Sequence, residues 1–166
     1  MLGLPTARLP TSALELTTEM PDIIGIDHIY ITVSDLARSE KFYDVVMSIL
    51  GFRKNQFQLA GESHIHYYNR HFGYVLRPAR SEGGHDPYVP GLHHFCLRVE
   101  SVEDLKEVAR RLKGENISAD GPKHYPEYAP DYFAVFLPDP DGIRFEITNY
   151  RQERRQRYDG WEAIES

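Results

Sequence analysis

Two segments of the chain repeat one layout, and this repeat limits the possible folds more than any other feature of the sequence. Residues 28–33 read His-Ile-Tyr-Ile-Thr-Val, and residues 94–99 read His-Phe-Cys-Leu-Arg-Val. In each segment a histidine begins an apolar alternation, and a polar residue able to cap a helix, Asp35 or Ser101, follows at the same offset. The repeat predicts two copies of one structural module.

Alternation along each segment predicts a β-strand with one apolar face. We expect these faces to pack under helices: Ile29, Ile31 and Val33 in the first strand, and Phe95, Leu97 and Val99 in the second. Helical spacing follows over about 36–50 and 102–112. Short strands are then expected over about 53–58, 63–68 and 73–77, and again near Ile117, over 132–137 and over 143–149. The fold class predicted is α+β, with two tandem βαβββ modules.

The domain boundaries follow from the repeat and from the distribution of Pro and Gly. We expect a flexible N-terminal arm over 1–22, a first module over 23–78, a linker over 79–90, a second module over 91–150 and a C-terminal tail over 151–166. The tail is rich in arginine, and we interpret it as a solvated helix face or a dimer contact rather than an anion site.

Composition excludes several classes of protein. A formal net charge of −6 argues against a nucleic-acid binder, and a single Cys excludes a disulfide-stapled scaffold. Residues 1–21 lack the unbroken apolar run of a signal peptide, and no apolar run is long enough to cross a membrane, so we expect a cytoplasmic protein. Its 11 Tyr and 8 His indicate a lined cavity or a metal site, for which Tyr30, Tyr68 and Tyr74 are among the candidate wall residues.

Three residues combine into a candidate metal site. The turn Asp-Pro-Asp-Gly over 139–142 precedes the last strand, in which Glu146 has the polar parity shared by His28 and His94. Two imidazoles and one carboxylate are typical of an open Fe(II), Mn(II), Ni(II) or Zn(II) site. A lone strand histidine is more often an ordinary residue, and this reading is favoured for His64 and His66. The parity shared by His28, His94 and Glu146 favours a metal site formed by these three residues.

The two histidine strands and the ending Asp-Pro-Asp-Gly-Ile-Arg-Phe-Glu over 139–146 resemble the vicinal oxygen chelate superfamily, over about 24–150. This superfamily includes glyoxalase I, bleomycin-resistance proteins, fosfomycin-resistance transferases and extradiol dioxygenases. The resemblance implies half-barrel modules enclosing a divalent metal ion, with His28, His94 and Glu146 as ligands and a small substrate chelated through vicinal oxygens. It also implies a homodimer, in which His28 serves either its own or the partner's metal.

Departures from the subfamily patterns leave the reaction open. Aligning Gly73 with Gly142 puts Arg77 in the position of Glu146, so a fourth, acidic ligand is not expected. Phe136 replaces the tyrosine of extradiol dioxygenases, and His124, Tyr128 and Tyr132 are candidate catalytic substitutes. The alternatives are a lyase or isomerase, a dioxygenase, or a non-catalytic small-molecule binding or sequestering protein of the bleomycin-resistance type.

Overall fold

The computed structural model describes residues 23–163, so the predicted arm over 1–22 and the last three residues of the tail lie outside the described residues. The elements, in chain order, are β1 (His28–Val33), α1 (Leu36–Ile49), β2 (Arg53–Leu59), β3 (Glu62–Tyr68), β4 (Gly73–Pro78), β5 (His94–Val99), α2 (Val102–Gly114), β6 (Asp120–His124), β7 (Phe133–Pro138), β8 (Arg144–Asn149), α3 (Gln152–Asp159) and a short 3-10 helix, Trp161–Ala163. Over 23–163, no helix has both the length and the apolar character needed to span a bilayer.

The strands form two four-stranded sheets with the same topology. Their strand orders are β1-β4-β3-β2 and β5-β8-β7-β6. In each sheet the first strand pairs in parallel with the last, and the remaining neighbours are antiparallel. The prediction of two tandem βαβββ modules is confirmed: β1 to β4 with α1 form the first module, and β5 to β8 with α2 form the second.

The two module helices begin where the polar residues after each histidine strand predicted. The Asp35 carboxylate accepts the Arg38 backbone N–H at 3.0 Å, and the Ser101 hydroxyl accepts that of Asp104 at 3.1 Å. Each bond satisfies a backbone donor that has no partner within its helix. Two residues separate the strand from the helix in each module.

Both modules share one hydrophobic core. Ile31 and Val33 of β1 are buried in the same cluster as Leu105 and Leu112 of α2, which confirms the predicted apolar face for these two strand residues. The predicted residues Ile29, Phe95 and Val99 are half-buried against the cluster. Tyr74 lies 5.3 Å from Phe95 between ring centroids, which joins the two modules directly. The expectation that Tyr74 lines a cavity is wrong, because this ring packs fully buried within the core.

The position of one strand differs from the prediction. The weak apolar run near Ile117 is not a strand; β6 lies instead over Asp120–His124, whose sequence is Asp-Gly-Pro-Lys-His. Gly and Pro disfavour strands, and β6 is an edge strand held by β7 with a register irregularity between Asp120 and Lys123. Its conformation depends on that partner strand rather than on its own residues.

Candidate metal centre

The centre of interest is a pair of side chains on neighbouring strands of the second module. The parallel pairing of β5 with β8 aligns Cys96 with Glu146 and places His94 two residues earlier on β5. Nε2 of His94 lies 3.3 Å from Oε2 of Glu146. The His94 side chain is 39% exposed and that of Glu146 only 5%, so the imidazole faces solvent while the carboxylate lies behind it.

Tyr132 holds the other oxygen of this carboxylate. Its hydroxyl donates a hydrogen bond to Oε1 of Glu146, and the guanidinium of Arg151 lies over the Tyr132 ring at 4.6 Å. Burial, followed by the hydrogen bond to Glu146, raises the pKa of Tyr132 well above its ordinary value. The phenol therefore stays protonated as a donor, and Glu146 keeps Oε2 directed towards His94.

Cys96 is the thiol beside Glu146. Although the residue as a whole is exposed, its thiol is withdrawn from water. This desolvation, together with the negative charge of Glu146, raises the pKa of Cys96 to about 12. Burial thus favours the neutral thiol, which is not a ready nucleophile.

In both repeated histidines, Nδ1 contacts the side chain of the preceding residue. Nδ1 of His28 donates to Oδ2 of Asp27 at 2.6 Å, and Nδ1 of His94 lies 2.6 Å from Nδ1 of His93. In each module, therefore, the preceding residue occupies Nδ1 and leaves Nε2 as the outward nitrogen. Metal-binding histidines are commonly oriented in this way, with the second nitrogen bonded to a neighbour. The signal in the sequence was a polar residue before each histidine.

His28 does not lie with the other two candidate ligands. Among residues 23–163, no group of three or more His, Cys, Asp and Glu side chains lies close enough together to hold a metal ion. His28 instead faces a cleft of about 830 Å³ on the first module, whose wall includes Tyr30, Phe57, His66 and Tyr68. One chain therefore brings together His94 and Glu146 and keeps His28 on a separate surface.

His64 and His66 differ in their surroundings although they share a strand. His64 is 2% exposed, its Nδ1 bonds the carbonyl of Glu62 at 3.0 Å, and its ring stacks on Phe57 at 5.0 Å. His66 lines the first-module cleft and lies against Gly73, where a Cβ would come within 2.6 Å of its Nε2. The absence of a side chain at Gly73 therefore makes room for His66 beside His28.

The first-module counterpart of Glu146 is not Arg77. His28 pairs with Gly73 and Tyr30 with Val75, whereas His94 pairs with Arg144 and Cys96 with Glu146. Val75 therefore occupies the position equivalent to Glu146. The alignment of Gly73 with Gly142 was wrong by two residues, because β4 begins at Gly73 itself whereas β8 begins two residues after Gly142. Arg77 instead pairs with Glu62 at 2.7 Å. An apolar residue at this position leaves the first module without an equivalent carboxylate.

The three candidate catalytic residues occupy different environments. Tyr132 contacts Glu146 directly, as described above. Nε2 of His124 bonds the carbonyl of Pro130 at 2.8 Å, and its ring stacks on Phe133 at 4.5 Å. Tyr128 is 61% exposed and contacts Tyr132 edge-on, with ring centroids 5.3 Å apart. Of the three, Tyr132 is the residue that the structure joins to the His94–Glu146 pair.

The repeat, the paired half-sheets and this strand-borne His–Glu pair define a known class of fold. Residues 25–147 match the family model described as the glyoxalase/bleomycin resistance protein/dioxygenase superfamily. The chain belongs to this superfamily, and the resemblance inferred from the sequence is confirmed.

Individual relatives are distant. A curated protein of Salmonella typhimurium, virulence protein STM3117, is 25% identical over 129 residues, which are 75% of this chain and 83% of that protein. A glyoxylase/bleomycin resistance protein/dioxygenase domain from Frankia sp. EAN1pec superposes with a TM-score of 0.65 and 24% identity, over 78% of this chain and 100% of that domain. The fosfomycin resistance protein FosX from Listeria monocytogenes, solved with Mn(II) and sulfate, superposes with a TM-score of 0.56 and 16% identity, over 81% and 98%.

Proposed function

We propose that this chain forms a homodimeric, divalent-metal-dependent enzyme that acts on a small substrate chelated through two vicinal oxygens. His94 and Glu146 of one subunit and His28 of the other would hold the metal. The observation that carries the proposal is the 3.3 Å pair between Nε2 of His94 and Oε2 of Glu146, while the one remaining repeat histidine stands apart on the first module. A second copy of the chain is the natural source of the missing imidazole.

The donor set suits Fe(II), Mn(II), Ni(II) or Zn(II). Two imidazoles and one carboxylate leave coordination positions for water and substrate, as catalysis requires. Asp27 accepts from Nδ1 of His28, which leaves the lone pair of Nε2 available as a ligand, and His94 offers its Nε2 in the same way when its Nδ1 donates to His93. The Mn(II) bound by the FosX relative agrees with this choice of metals.

The bound metal would supply Lewis-acid polarisation of the substrate oxygens or a site for O2. The protein's own part begins with Tyr132, which donates to Oε1 of Glu146 and so directs the carboxylate. Tyr132 is thus a positioning residue. His124, on the opposite edge strand β6, is our candidate for moving a proton to or from the substrate, and Nδ1 is its free nitrogen because Nε2 donates to the carbonyl of Pro130.

The first-module cleft is the proposed substrate chamber. Its 830 Å³ is within the usual range for small-molecule pockets, and His28 lies in its wall. In the dimer that we propose, this wall faces the His94–Glu146 pair of the second copy. We further propose a cytoplasmic location, where the single Cys remains reduced.

Subunit complementation tests the proposal. His28→Ala and Glu146→Ala should each lose bound metal when purified alone. If the site spans two subunits, unfolding and refolding the two variants together creates heterodimers with one intact ligand set, and metal content should return to about half of the wild-type value per heterodimer. Wild-type metal content in either variant alone would disprove the ligand assignment, and failure of the mixture to recover metal would disprove the shared site.

A second candidate is a binding or sequestering protein without catalysis. Two observations favour it. Val75 stands where the second module has Glu146, so the first module has no equivalent carboxylate, and the wall of the first-module cleft is aromatic. Metal-free protein would then bind a planar aromatic such as catechol at one molecule per chain, with the same affinity before and after addition of Mn(II). Binding that requires the metal would exclude this candidate.

A further inference from the structure

A second cleft lies where the second module meets the C-terminal helix α3. We call it the arginine cleft. It has a volume of about 600 Å³, and its wall includes Arg98, Arg154, Arg157, Tyr150, Tyr158 and Trp161. Arg98 comes from β5, while the others follow β8. The basic residues of the tail therefore do not simply form a solvated helix face, because a strand residue more than fifty positions earlier completes the group.

The charges in the arginine cleft are unbalanced. The nearby acids Glu100 and Glu153 pair with Arg155 at 2.7 Å and with Arg151 at 3.5 Å. For the cleft arginines 98, 154 and 157, the described part of the chain offers no carboxylate within ion-pair distance. Asp159 is the one described acid in the wall. In a protein of net charge −6, this is a local concentration of positive charge.

Aromatic rings lie among these guanidinium groups. The guanidinium carbon of Arg98 lies 4.1 Å from the centroid of the Tyr150 ring, which holds it at the cleft wall without neutralising it. Tyr158 and Trp161 are 78% and 58% exposed, which is unusual for large rings in a cleft. Arginines recognise phosphate and carboxylate groups through paired N–H donors, and exposed rings stack on planar ligands.

We propose that the arginine cleft binds an organic polyanion that carries a planar ring, with the chemistry of a nucleoside diphosphate. The guanidinium groups of Arg98 and Arg157 would hold the charged end, and Trp161 would stack on the ring. Arg98 has the same strand parity as His94 and lies four residues further along β5, roughly 13 Å away at the rise of an extended strand. The cleft is therefore a site separate from the candidate metal centre.

Trp161 is the only tryptophan in the chain, so its fluorescence reports on this cleft. Metal-free full-length protein is titrated with ADP, adenosine and pyrophosphate, and calorimetry gives the stoichiometry. We expect saturable binding of ADP at one per chain, at least tenfold tighter than that of adenosine or of pyrophosphate. Arg98→Gln and Arg157→Gln should each weaken ADP binding about tenfold, as expected for the loss of one charge-assisted hydrogen bond.

The control is Arg53→Gln, an exposed arginine on β2 with the same change in charge, which should bind ADP like the wild type. Equal affinity for ADP and adenosine would overturn the role of the arginines, and equal affinity for ADP and pyrophosphate would overturn that of the ring. If ADP does not bind and Arg98→Gln instead shifts the oligomeric state in light scattering, the cleft is a subunit contact and the proposal is wrong. None of these outcomes depends on bound metal.

Discussion

The phenolic oxygen of Tyr43 lies 2.9 Å from Oδ2 of Asp139, so helix α1 of the first module is bonded to the turn that precedes the last strand of the second. Tyr43 is fully buried and Asp139 is 5% exposed. Oδ1 of Asp139 accepts the backbone N–H groups of Asp141 and Ile143 at 2.9 and 2.7 Å. One carboxylate therefore both shapes the turn before β8 and joins the two modules.

Removing the hydroxyl of Tyr43 should destabilise the protein. Tyr43→Phe leaves a buried carboxylate oxygen without one of its donors, and we expect the free energy of unfolding to fall by about 1–3 kcal/mol. The measurement is urea denaturation followed by circular dichroism. Tyr158→Phe, at a ring that is 78% exposed, is the matched control and should unfold at the wild-type urea concentration. A Tyr43→Phe midpoint equal to that of the control would contradict the prediction.

Asp139 should also contribute to the pH dependence of stability. Its burial raises its pKa above the ordinary value of 3.8. The folded state then binds this proton more readily than the unfolded chain, so the stabilising contribution is complete below pH 3.8 and is lost as the pH rises through the folded pKa. Asp139→Asn removes this titration.

The quantity to measure is the difference in unfolding free energy between wild type and Asp139→Asn, across the acid range up to neutral pH. We expect the wild type to lose stability relative to the variant as the pH rises. Asp86→Asn makes the same change in charge at an exposed position of the linker and is the matched control. A difference for Asp139→Asn that does not vary with pH would show that the buried carboxylate has no raised pKa.

Asp27 should tune metal affinity without being a ligand. Its carboxylate accepts the Nδ1–H of His28 at 2.6 Å, which orients the imidazole and makes Nε2 a better donor. On the proposed site, Asp27→Asn should lower metal affinity about 10- to 100-fold, as measured by competition with a chelator. Asp120→Asn, on the exposed edge strand β6, provides the control. Unchanged affinity in Asp27→Asn would separate Asp27 from any metal site.

Tyr132 and Tyr128 offer a matched pair of phenols. Tyr132→Phe removes the hydrogen bond to Oε1 of Glu146 and should lower metal affinity about 10- to 150-fold, since a bond to a charged group contributes roughly 1.5–3 kcal/mol. Tyr128, which contacts Tyr132 only through its ring, should tolerate the same change. Should both variants bind metal like the wild type, Tyr132 does not position the carboxylate.

Two glycines should differ sharply in their tolerance of alanine. At Gly121, with φ of +110°, a Cβ would lie 2.5 Å from the backbone oxygen of Ala134, and we expect Gly121→Ala to cost at least 2 kcal/mol of unfolding free energy. At Gly73 the obstacle is the movable imidazole of His66, 2.6 Å away. Gly73→Ala should therefore remain folded with a smaller loss, while the His66 ring signal shifts in NMR spectra. Equal losses in the two variants would refute this distinction.

Local patterns in the sequence determined the modules of this protein. The alternation in β1 and β5 and the caps at Asp35 and Ser101 act within a few residues, so they predicted the strands, the helix starts and the βαβββ repeat. His94 and Glu146 share the predicted parity and lie 3.3 Å apart, while the role of these residues and of His28 as metal ligands stays a prediction.

Tertiary structure decided the features that depend on long-range pairing. The register between β1 and β4 put Val75 rather than Arg77 opposite Tyr30, and β7 made a strand of residues that have little preference for one. The arginine cleft depends on the packing of α3 against the end of β5, and no periodic pattern within either segment predicts that packing. Strand alternation identifies the face of a side chain, but only packing between distant segments determines its neighbours. For this reason the sequence located the His94–Glu146 pair, while the separation of His28 from it emerged only from the fold.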